Sequence, residues 1–276
     1  MKIFITGSNG FIGGHLVNKA LAKGHEVLGF RLPGHLEKIK IPKQPIWLEG
    51  SLEDDLKTTL NGCDVLIHLA AYGVNPSYNS WEEAFRWNVY ASLNIWKQAY
   101  EVGIKRLIIS GSCSEYGRSA ERYENIPSDA PLEPINAYGA SKAAASIAAL
   151  AYAREYNMEV AILRPFHIYG EGEGLTRFFP AIKRAALEGK DFPMTLGQQI
   201  RDFTPVDMAA EKFLEYSTEV SIEPGKPIIK NLGTGNPQSL IDFAKNLWNI
   251  YDAKGKLLPG SISYRKNEIM RCVPKI

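Results

Sequence analysis

The stretch KIFITGSNGFIGG, residues 2–14, decides the fold of this 276-residue chain. Its first five residues are mostly apolar or β-branched and predict a buried strand, and a helical pattern begins at about residue 11. Gly7, Gly10 and Gly13 lie between them with GxxGxxG spacing. A glycine turn between a first strand and a first helix lets the backbone approach a pyrophosphate, to which the helix N-terminus offers N–H groups. The stretch therefore predicts a dinucleotide site.

The first half of the chain alternates short apolar runs with longer helical patterns. The runs show little polar alternation, so both faces of the strands should be covered. This alternation predicts an α/β fold built on a doubly wound parallel (Rossmann) sheet. The runs interpreted as strands are residues 2–6, 26–30, 45–49, 64–70, 106–110 and 159–164. The expected helices are residues 11–23, 52–61, 80–102 and 137–156.

The alternation loosens after Arg164, where we expect a smaller C-terminal cap that binds substrate. The elements expected there are a glycine-rich connector at 169–175, helices at 176–189, 206–217 and 238–252, and strands at 192–196 and 228–233. We assign residues 1–165 plus about 204–233 to the Rossmann domain, and about 166–203 plus 234–276 to the cap.

Composition excludes several classes of partner. The formal net charge of +2 gives no electrostatic reason to expect nucleic acid or membrane binding, and no apolar run is long enough to span a bilayer. Cys63, Cys113 and Cys272 are odd in number and far apart in sequence, so neither a disulfide framework nor a metal site is expected. The chain enters a strand at once, without a signal-peptide pattern, and a cytoplasmic location is expected.

The end of the second strand bears on the choice of dinucleotide. NAD-binding proteins place an acidic residue there for the adenosine ribose, whereas this chain has Phe30-Arg31 and no carboxylate until Glu37. The guanidinium of Arg31 suits a 2′-phosphate, although a solvated surface arginine is the alternative. NADP is therefore favoured, with NAD as the alternative.

A tyrosine and a lysine lie four residues apart in YGASK, residues 138–142. The surrounding residues are strong helix formers, so Tyr138 and Lys142 should share one helical face. An ammonium beside a phenol lowers the tyrosine pKa and suits it to proton transfer at neutral pH. The same spacing also occurs by chance on many surface helices.

Seven short motifs occur in order along the chain. They are TGSNGFIGG (6–14), HLAA (68–71), SGSCSEYG (110–117), YGASK (138–142), LRPFHIYG (163–170), RDFTPVDMA (201–209) and NLGTG (231–235). In combination, these motifs resemble the extended short-chain dehydrogenase/reductases of the NAD(P)-dependent nucleotide-sugar epimerase/dehydratase/reductase family. Asn88 also occupies a position where that family has an asparagine.

The resemblance implies a catalytic triad of Ser112, Tyr138 and Lys142, which would exchange a proton with a sugar oxygen while the nicotinamide exchanges a hydride. The cofactor contacts that it implies are Gly7, Asn9, Gly10, Phe11, Ile12, Gly13, Arg31, Ser51, Leu52, Leu69, Ala70, Ala71, Asn88, Ser110, Tyr138, Lys142, Pro165 and His167. The implied contacts to a nucleotide-diphosphate sugar are Tyr72, Cys113, Ser114, His167, Arg201 and Arg265.

One departure from the family narrows the expected reaction. The 4,6-dehydratases place an Asp-Glu pair after the strand-5 serine, whereas this chain has Cys113 and Ser114, so dehydration is disfavoured. With Arg31 favouring NADPH, we expect reduction of a 4-keto-6-deoxyhexose linked to CDP, dTDP or GDP. A nucleotide-sugar 4-epimerase is the alternative, and a non-catalytic NADP-binding regulator is a third.

The family also pairs the helices expected at 80–102 and 137–156 across a two-fold axis. The second of these is apolar and alanine-rich nearly all round, which covering one sheet does not explain. A homodimer is therefore expected.

Overall fold

The computed structural model describes residues 1–74 and 80–276. Its helices are α1 (Phe11–Ala22), α2 (Lys57–Leu60), α3 (Trp81–Phe85), α4 (Ala91–Glu101), α5 (Ala137–Glu155), α6 (Phe178–Leu187), α7 (Val206–Thr218) and α8 (Leu240–Ile250). Its strands are β1 (Lys2–Thr6), β2 (Glu26–Arg31), β3 (Ile46–Glu49), β4 (Val65–His68), β5 (Arg106–Ser110), β6 (Glu159–Pro165), β7 (Ile168–Tyr169), β8 (Phe192–Met194), β9 (Ile200–Arg201), β10 (Thr204–Pro205), β11 (Ile228–Leu232), β12 (Gln238–Ser239), β13 (Leu257–Pro259) and β14 (Arg271–Cys272).

A seven-stranded parallel sheet forms the centre of the molecule, in the order β11-β6-β5-β4-β1-β2-β3. Ile3 of β1 stands opposite Val27 of β2 on one side and Val65 of β4 on the other. The strand order reverses direction between β1 and β4, and open α/β sheets bind ligands at the carboxyl edge of such a switch point. The predicted doubly wound parallel sheet is confirmed.

Two helical layers cover the sheet, as the apolar runs predict. Alternate residues of β1 point to opposite faces, so Ile3 and Ile5 pack with α1 and α7. Phe4 packs on the other face with α4 and α5, where Trp96 and Ala149 are fully or almost fully buried. The site at the sheet edge is thus anchored to a core that is buried on both faces.

The helix expected over 52–61 is largely wrong, because only α2 forms there. The preceding residues form turns in which carboxylates accept backbone N–H groups. Asp54 accepts from the Ser51 N–H at 2.7 Å, and Asp55 accepts from the Lys57 N–H at 3.1 Å. Side-chain acceptors of this kind compete with helical hydrogen bonds.

A second group of elements lies beyond the central sheet. β9 is bordered by β12 and β14, and β8 pairs with β13. Aromatic residues from α6, α8 and the neighbouring strands form a separate cluster, in which Phe203 and Phe243 stack with centroids 3.8 Å apart. Buried Asp202 joins this region to the end of β11 by accepting from the N–H groups of Thr234 and Gly235. The division into two domains stays our proposal.

In the described part of the chain, every helix is too short or too polar to cross a bilayer.

Candidate active site

The glycine turn forms a cradle at the carboxyl end of β1. Gly7 has φ of +67°, and a Cβ there would lie 2.9 Å from the Ala70 nitrogen. A Cβ on Gly13 would collide with the Gly7 carbonyl oxygen, so α1 approaches the turn closely only with glycine there. Gly10 caps α1 without a side chain, which leaves the first-turn N–H groups for a ligand. This shape fits a dinucleotide pyrophosphate.

Asn9 fixes the segment that follows β2 against this turn. Its side-chain amide donates to the carbonyl oxygens of His35 at 3.1 Å and Leu36 at 3.3 Å. The backbone carbonyl oxygen of Asn9 accepts a hydrogen bond from the Lys38 N–H at 3.0 Å. A direct contact from Asn9 to a cofactor stays a prediction.

Arg31 lies at the end of β2 with its guanidinium already paired. It donates to Glu49 at 3.1 Å and to Glu37 at 2.9 Å, and it stacks on the Trp47 ring at 4.5 Å. Two carboxylates surround one cation, so this corner is net negative rather than positive. The expectation that Arg31 stands open for a 2′-phosphate is therefore not supported by its contacts.

The other predicted cofactor residues lie at the carboxyl ends of central strands or at the start of α1. Thr6 organises part of this edge, because its hydroxyl accepts from the N–H groups of Leu69 and Ala70 at 3.2 Å. The remaining residues at this edge are Phe11 and Ile12 on α1, Ser51 and Leu52 after β3, Ala71 after β4, Ser110 on β5, and Pro165 and His167 at and after β6.

Ser112 and Tyr138 meet beyond the end of β5. Ser112 begins a short 3-10 turn, and its hydroxyl accepts from the Ser114 N–H at 3.1 Å. Asn136 caps α5 by accepting from the Gly139 N–H at 2.8 Å, which starts the helix just before Tyr138. The Tyr138 phenol lies close to the Ser112 hydroxyl, and Lys142 follows one helical turn later, 4% exposed.

Burial controls the protonation of Tyr138 and Lys142. It raises the pKa of Tyr138 to about 12, an effect that the nearby Ser112 hydroxyl partly opposes. Burial also lowers the pKa of Lys142 to about 8, against the attraction of Glu115. The expectation that Lys142 brings the tyrosine pKa down is wrong for the chain by itself, because desolvation of the phenolate outweighs the nearby positive charges.

Glu115 and Arg164 support the site, and sequence reasoning missed both. Glu115 accepts from the Ser112 N–H at 2.8 Å and from the Arg164 guanidinium at 2.8 Å, with both side chains buried. Burial raises the pKa of Glu115, and the charge of Arg164 counteracts this. The signal was present in SGSCSEYG, since a serine followed three residues later by glutamate is a capping box.

Asn88 links the loop after β4 to α5. It lies in a π-helical turn over Arg86–Tyr90, a feature common at functional sites. Its side chain accepts from the Tyr72 N–H at 2.7 Å and donates to the Ser141 hydroxyl at 2.9 Å. Asn88 therefore positions the helix that carries Tyr138, and its contact with a cofactor stays a prediction.

The predicted substrate residues are only partly brought together. Arg201 and Arg177 act electrostatically on Cys113 and His167, so these four residues share one neighbourhood. Arg201 is anchored by Glu268 at 2.9 Å. By contrast, Arg265 is exposed on the segment before β14.

Two of the three cysteines lie close together in the structure. Cys113 and Cys272 are distant in sequence, but their sulfur atoms and an imidazole nitrogen of His167 all lie within 4.8 Å of one another. The cause is strand pairing, because β14 runs alongside β9 and sets Cys272 opposite Arg201. The distance between these two cysteines in the sequence therefore does not keep them apart in the fold.

Comparison with known proteins adds independent support. The model of the family described as "NAD dependent epimerase/dehydratase family" matches residues 3–229. The chain is 31% identical over 221 residues to "Uncharacterized UDP-glucose epimerase YtcB" of Bacillus subtilis, covering 74% of this chain and 68% of that protein. It is 27% identical over 259 residues to "UDP-glucose 4-epimerase" of Corynebacterium glutamicum, covering 87% of this chain and 77% of that one.

Among solved structures, "MoeE5 in complex with UDP-glucuronic acid and NAD" superposes with a TM-score of 0.85 at 26% identity. The superposition covers 100% of this chain and 90% of that one. The glycine cradle, the Ser112–Tyr138 contact and the family match along most of the sequence lead to one conclusion. This chain belongs to the NAD dependent epimerase/dehydratase family.

Proposed function

We propose that this chain is an NAD-dependent nucleotide-sugar 4-epimerase that acts on a UDP-hexose. The observation that carries the proposal is the placement of Tyr138 at the start of α5 close to Ser112, with Lys142 one turn further along the helix. A phenol held at the carboxyl edge of a dinucleotide-binding sheet suits proton exchange with a substrate hydroxyl. The relatives named UDP-glucose epimerases point to the same reaction.

The roles of the side chains follow from their positions. NAD, when bound, supplies a nicotinamide that takes a hydride from the sugar C4 and later gives it back. Tyr138 would take the proton of the C4 hydroxyl and return it when the opposite face is reduced. Ser112 would donate a hydrogen bond to the same oxygen as its charge changes. Lys142 would hold the nicotinamide ribose, and its positive charge would favour the ionised phenol.

NAD is preferred to NADP because of the contacts at the end of β2. Glu37 and Glu49 already occupy the guanidinium of Arg31, and a 2′-phosphate would have to displace them. A ribose hydroxyl, by contrast, can donate to a carboxylate, as in NAD enzymes generally. MoeE5, whose structure holds NAD, supports the same preference.

The NADPH-dependent 4-ketoreductase is the second candidate. Arg31 still lies at the strand end where a 2′-phosphate would bind. Reduction also needs no more from the protein than Ser112, Tyr138 and Lys142. Neither candidate needs carboxylates at positions 113 and 114, where this chain has a cysteine and a serine. Dehydration therefore stays disfavoured.

An assay panel separates the two candidates. The purified protein is incubated with UDP-glucose or UDP-galactose without added cofactor, and separately with NADPH and CDP-, dTDP- or GDP-linked 4-keto-6-deoxyhexoses. We expect interconversion of the UDP-sugars and tightly held NAD in the purified protein. NADPH oxidation by a 4-keto sugar, without epimerisation of any UDP-sugar, would overturn the epimerase proposal and favour the reductase.

A further inference from the structure

Two thiols and an imidazole converge beside the catalytic turn. We call Cys113, His167 and Cys272 the Cys2His cluster, whose potential ligand atoms all lie within 4.8 Å of one another. Cys113 comes from the 3-10 turn after β5, His167 from the link between β6 and β7, and Cys272 from β14. The three residues are distant in sequence, so the tertiary fold assembles the cluster.

The backbone conformation and the side-chain contacts of His167 are both unusual for a histidine that only packs in a core. Its backbone has φ of +33°, in the left-handed region that non-glycine residues rarely adopt. Its Nε2 atom is buried and has no hydrogen-bond partner among the residues that the structure describes. That nitrogen is therefore available to bind a ligand.

The two thiols come together at one point of the fold, because the Cys113 and Cys272 sulfur atoms lie within 4.8 Å of each other. Metal ions bind cysteine as the thiolate, so coordination by both residues would release their thiol protons to solvent.

Charge and donor softness select the ligand. Two thiolates balance the charge of a divalent ion, and the neighbouring Arg201 is already paired with Glu268 at 2.9 Å. Thiolate and imidazole donors together favour zinc over magnesium or calcium, which prefer oxygen ligands. We propose that Cys113, His167 and Cys272 bind one thiophilic divalent metal ion such as Zn²⁺, with a fourth coordination position left open. Such an ion would tie β14 to the turn that carries Ser112, whatever reaction the enzyme performs.

Cobalt titration tests the site directly. The full-length reduced protein, freed of metal with a chelator, is titrated with Co²⁺ under anaerobic conditions and followed by absorption. We expect one equivalent of Co²⁺ to give thiolate-to-cobalt charge-transfer and tetrahedral ligand-field bands, which Zn²⁺ abolishes. Cys113→Ser, His167→Asn and Cys272→Ser should each weaken binding at least about 100-fold, since each removes a direct ligand. Cys63→Ser, which alters a buried cysteine outside the cluster, should bind as the wild type does.

A second readout needs no variant. Zn²⁺ should protect Cys113 and Cys272 of the wild-type protein from alkylation, as mapped by peptide mass spectrometry, and should raise its melting temperature. Absence of stoichiometric Co²⁺ binding by the reduced wild type would overturn the proposal. So would equal loss of binding in Cys63→Ser, or a Cys113–Cys272 disulfide that persists in the reduced preparation and leaves no metal affinity.

Discussion

At the scale of single residues, Lys142 places a buried ammonium in the site, and its desolvation is costly. Its pKa falls from 10.5 to about 8, so the unfolded chain holds that proton more tightly than the folded chain does. Below pH 8 both states are protonated and the folded state bears the full cost, about 3 kcal/mol. As the pH rises from 8 towards 10.5, the folded chain loses its proton first and the cost disappears.

We therefore predict that Lys142→Met raises the free energy of unfolding at pH 7 by up to about 3 kcal/mol while abolishing epimerisation. The stability difference from the wild type should shrink between pH 8 and pH 10.5. Denaturant unfolding at pH 7 and pH 9.5 measures both effects. Lys97→Met, at an exposed lysine of α4, is the matched control and should change neither quantity. A variant that is less stable than the wild type at pH 7 would contradict the prediction.

A substitution at Tyr138 tests the proposed chemistry separately from the stability of the fold. Removing its hydroxyl deletes the proposed proton acceptor and leaves the ring in place. Tyr138→Phe should lower kcat by about 10²–10⁴ without lowering the melting temperature. Tyr156→Phe, the same change at the end of α5, should keep full activity. Full turnover by Tyr138→Phe would rule out the proposed mechanism.

Residue identity alone predicted part of this site. The Tyr138–Lys142 spacing predicted that both residues share one face of α5, because helical periodicity is a local property. The triad itself was implied by the family resemblance, and its catalytic role stays a prediction. The pairing of Arg31 was not predictable in the same way. Glu49 reaches it from the neighbouring strand, and that depends on the pairing of β2 with β3. The prediction of a lowered Tyr138 pKa was wrong because burial, which raises that pKa, is a property of the folded molecule.

At the scale of elements, the short turn after β5 positions Ser112. Its stability depends on Glu115, which joins the Ser112 N–H to the guanidinium of Arg164 on β6. A buried pair of this kind contributes little net stability compared with an apolar pair, but removing one charge leaves the other uncompensated. The turn and the strand are therefore coupled through this carboxylate.

We predict that Glu115→Gln lowers the free energy of unfolding by about 3–5 kcal/mol and also reduces activity, because the Ser112 turn loses its anchor. The exposed pair of Arg122 and Glu133 supplies the control, since Glu133→Gln breaks a bidentate ion pair at the surface. That control should unfold as the wild type does, because solvent screens exposed pairs. Equal effects of the two substitutions, measured by denaturant unfolding, would contradict the assigned role of Glu115.

The elements themselves were largely predictable from the sequence. The six strands expected in the first half all form. Five of them are largely buried, whereas β3, at the edge of the sheet, is only partly buried. The helix expected over 80–102 is interrupted by a π-helical turn at Arg86–Tyr90, which places Asn88 towards Ser141. Periodicity could not predict that turn, since it depends on partners from other parts of the chain.

At the scale of the whole molecule, the surface around α3 and α5 leaves large apolar side chains exposed. Trp81 is 54% exposed, Tyr90 68% and Ile147 60%. Exposed large apolar side chains on neighbouring helices are a common feature of interfaces between subunits. The homodimer expected from the sequence stays a prediction.

We predict a dimeric mass in light scattering at micromolar concentration, and a monomeric mass for Ile147→Asp. Leu187→Asp, at an exposed leucine of α6, should remain dimeric and thus shows that an added charge alone is not disruptive. A monomeric wild type would contradict the dimer, as would dissociation caused equally by both substitutions.

The spatial proximity of the three side chains in the Cys2His cluster could not be predicted from sequence patterns. Cys113 and Cys272 are separated by more than half of the chain, and no ligand spacing connects them to His167. Only the assembly of β5, β6 and β14 places the three side chains together. The fold class follows from local patterns, whereas this cluster follows from the complete tertiary structure.

The central claim is that Tyr138 and a retained NAD perform a reversible oxidation at C4, and an isotope experiment tests it most directly. UDP-glucose carrying deuterium at C4 is converted by the purified enzyme without added cofactor, and the product is analysed by NMR. We predict UDP-galactose that keeps its C4 deuterium, because the abstracted hydride returns to the same carbon. UDP-galactose without that deuterium would contradict the claim, as would no product from an enzyme that oxidises NADPH with a 4-keto sugar.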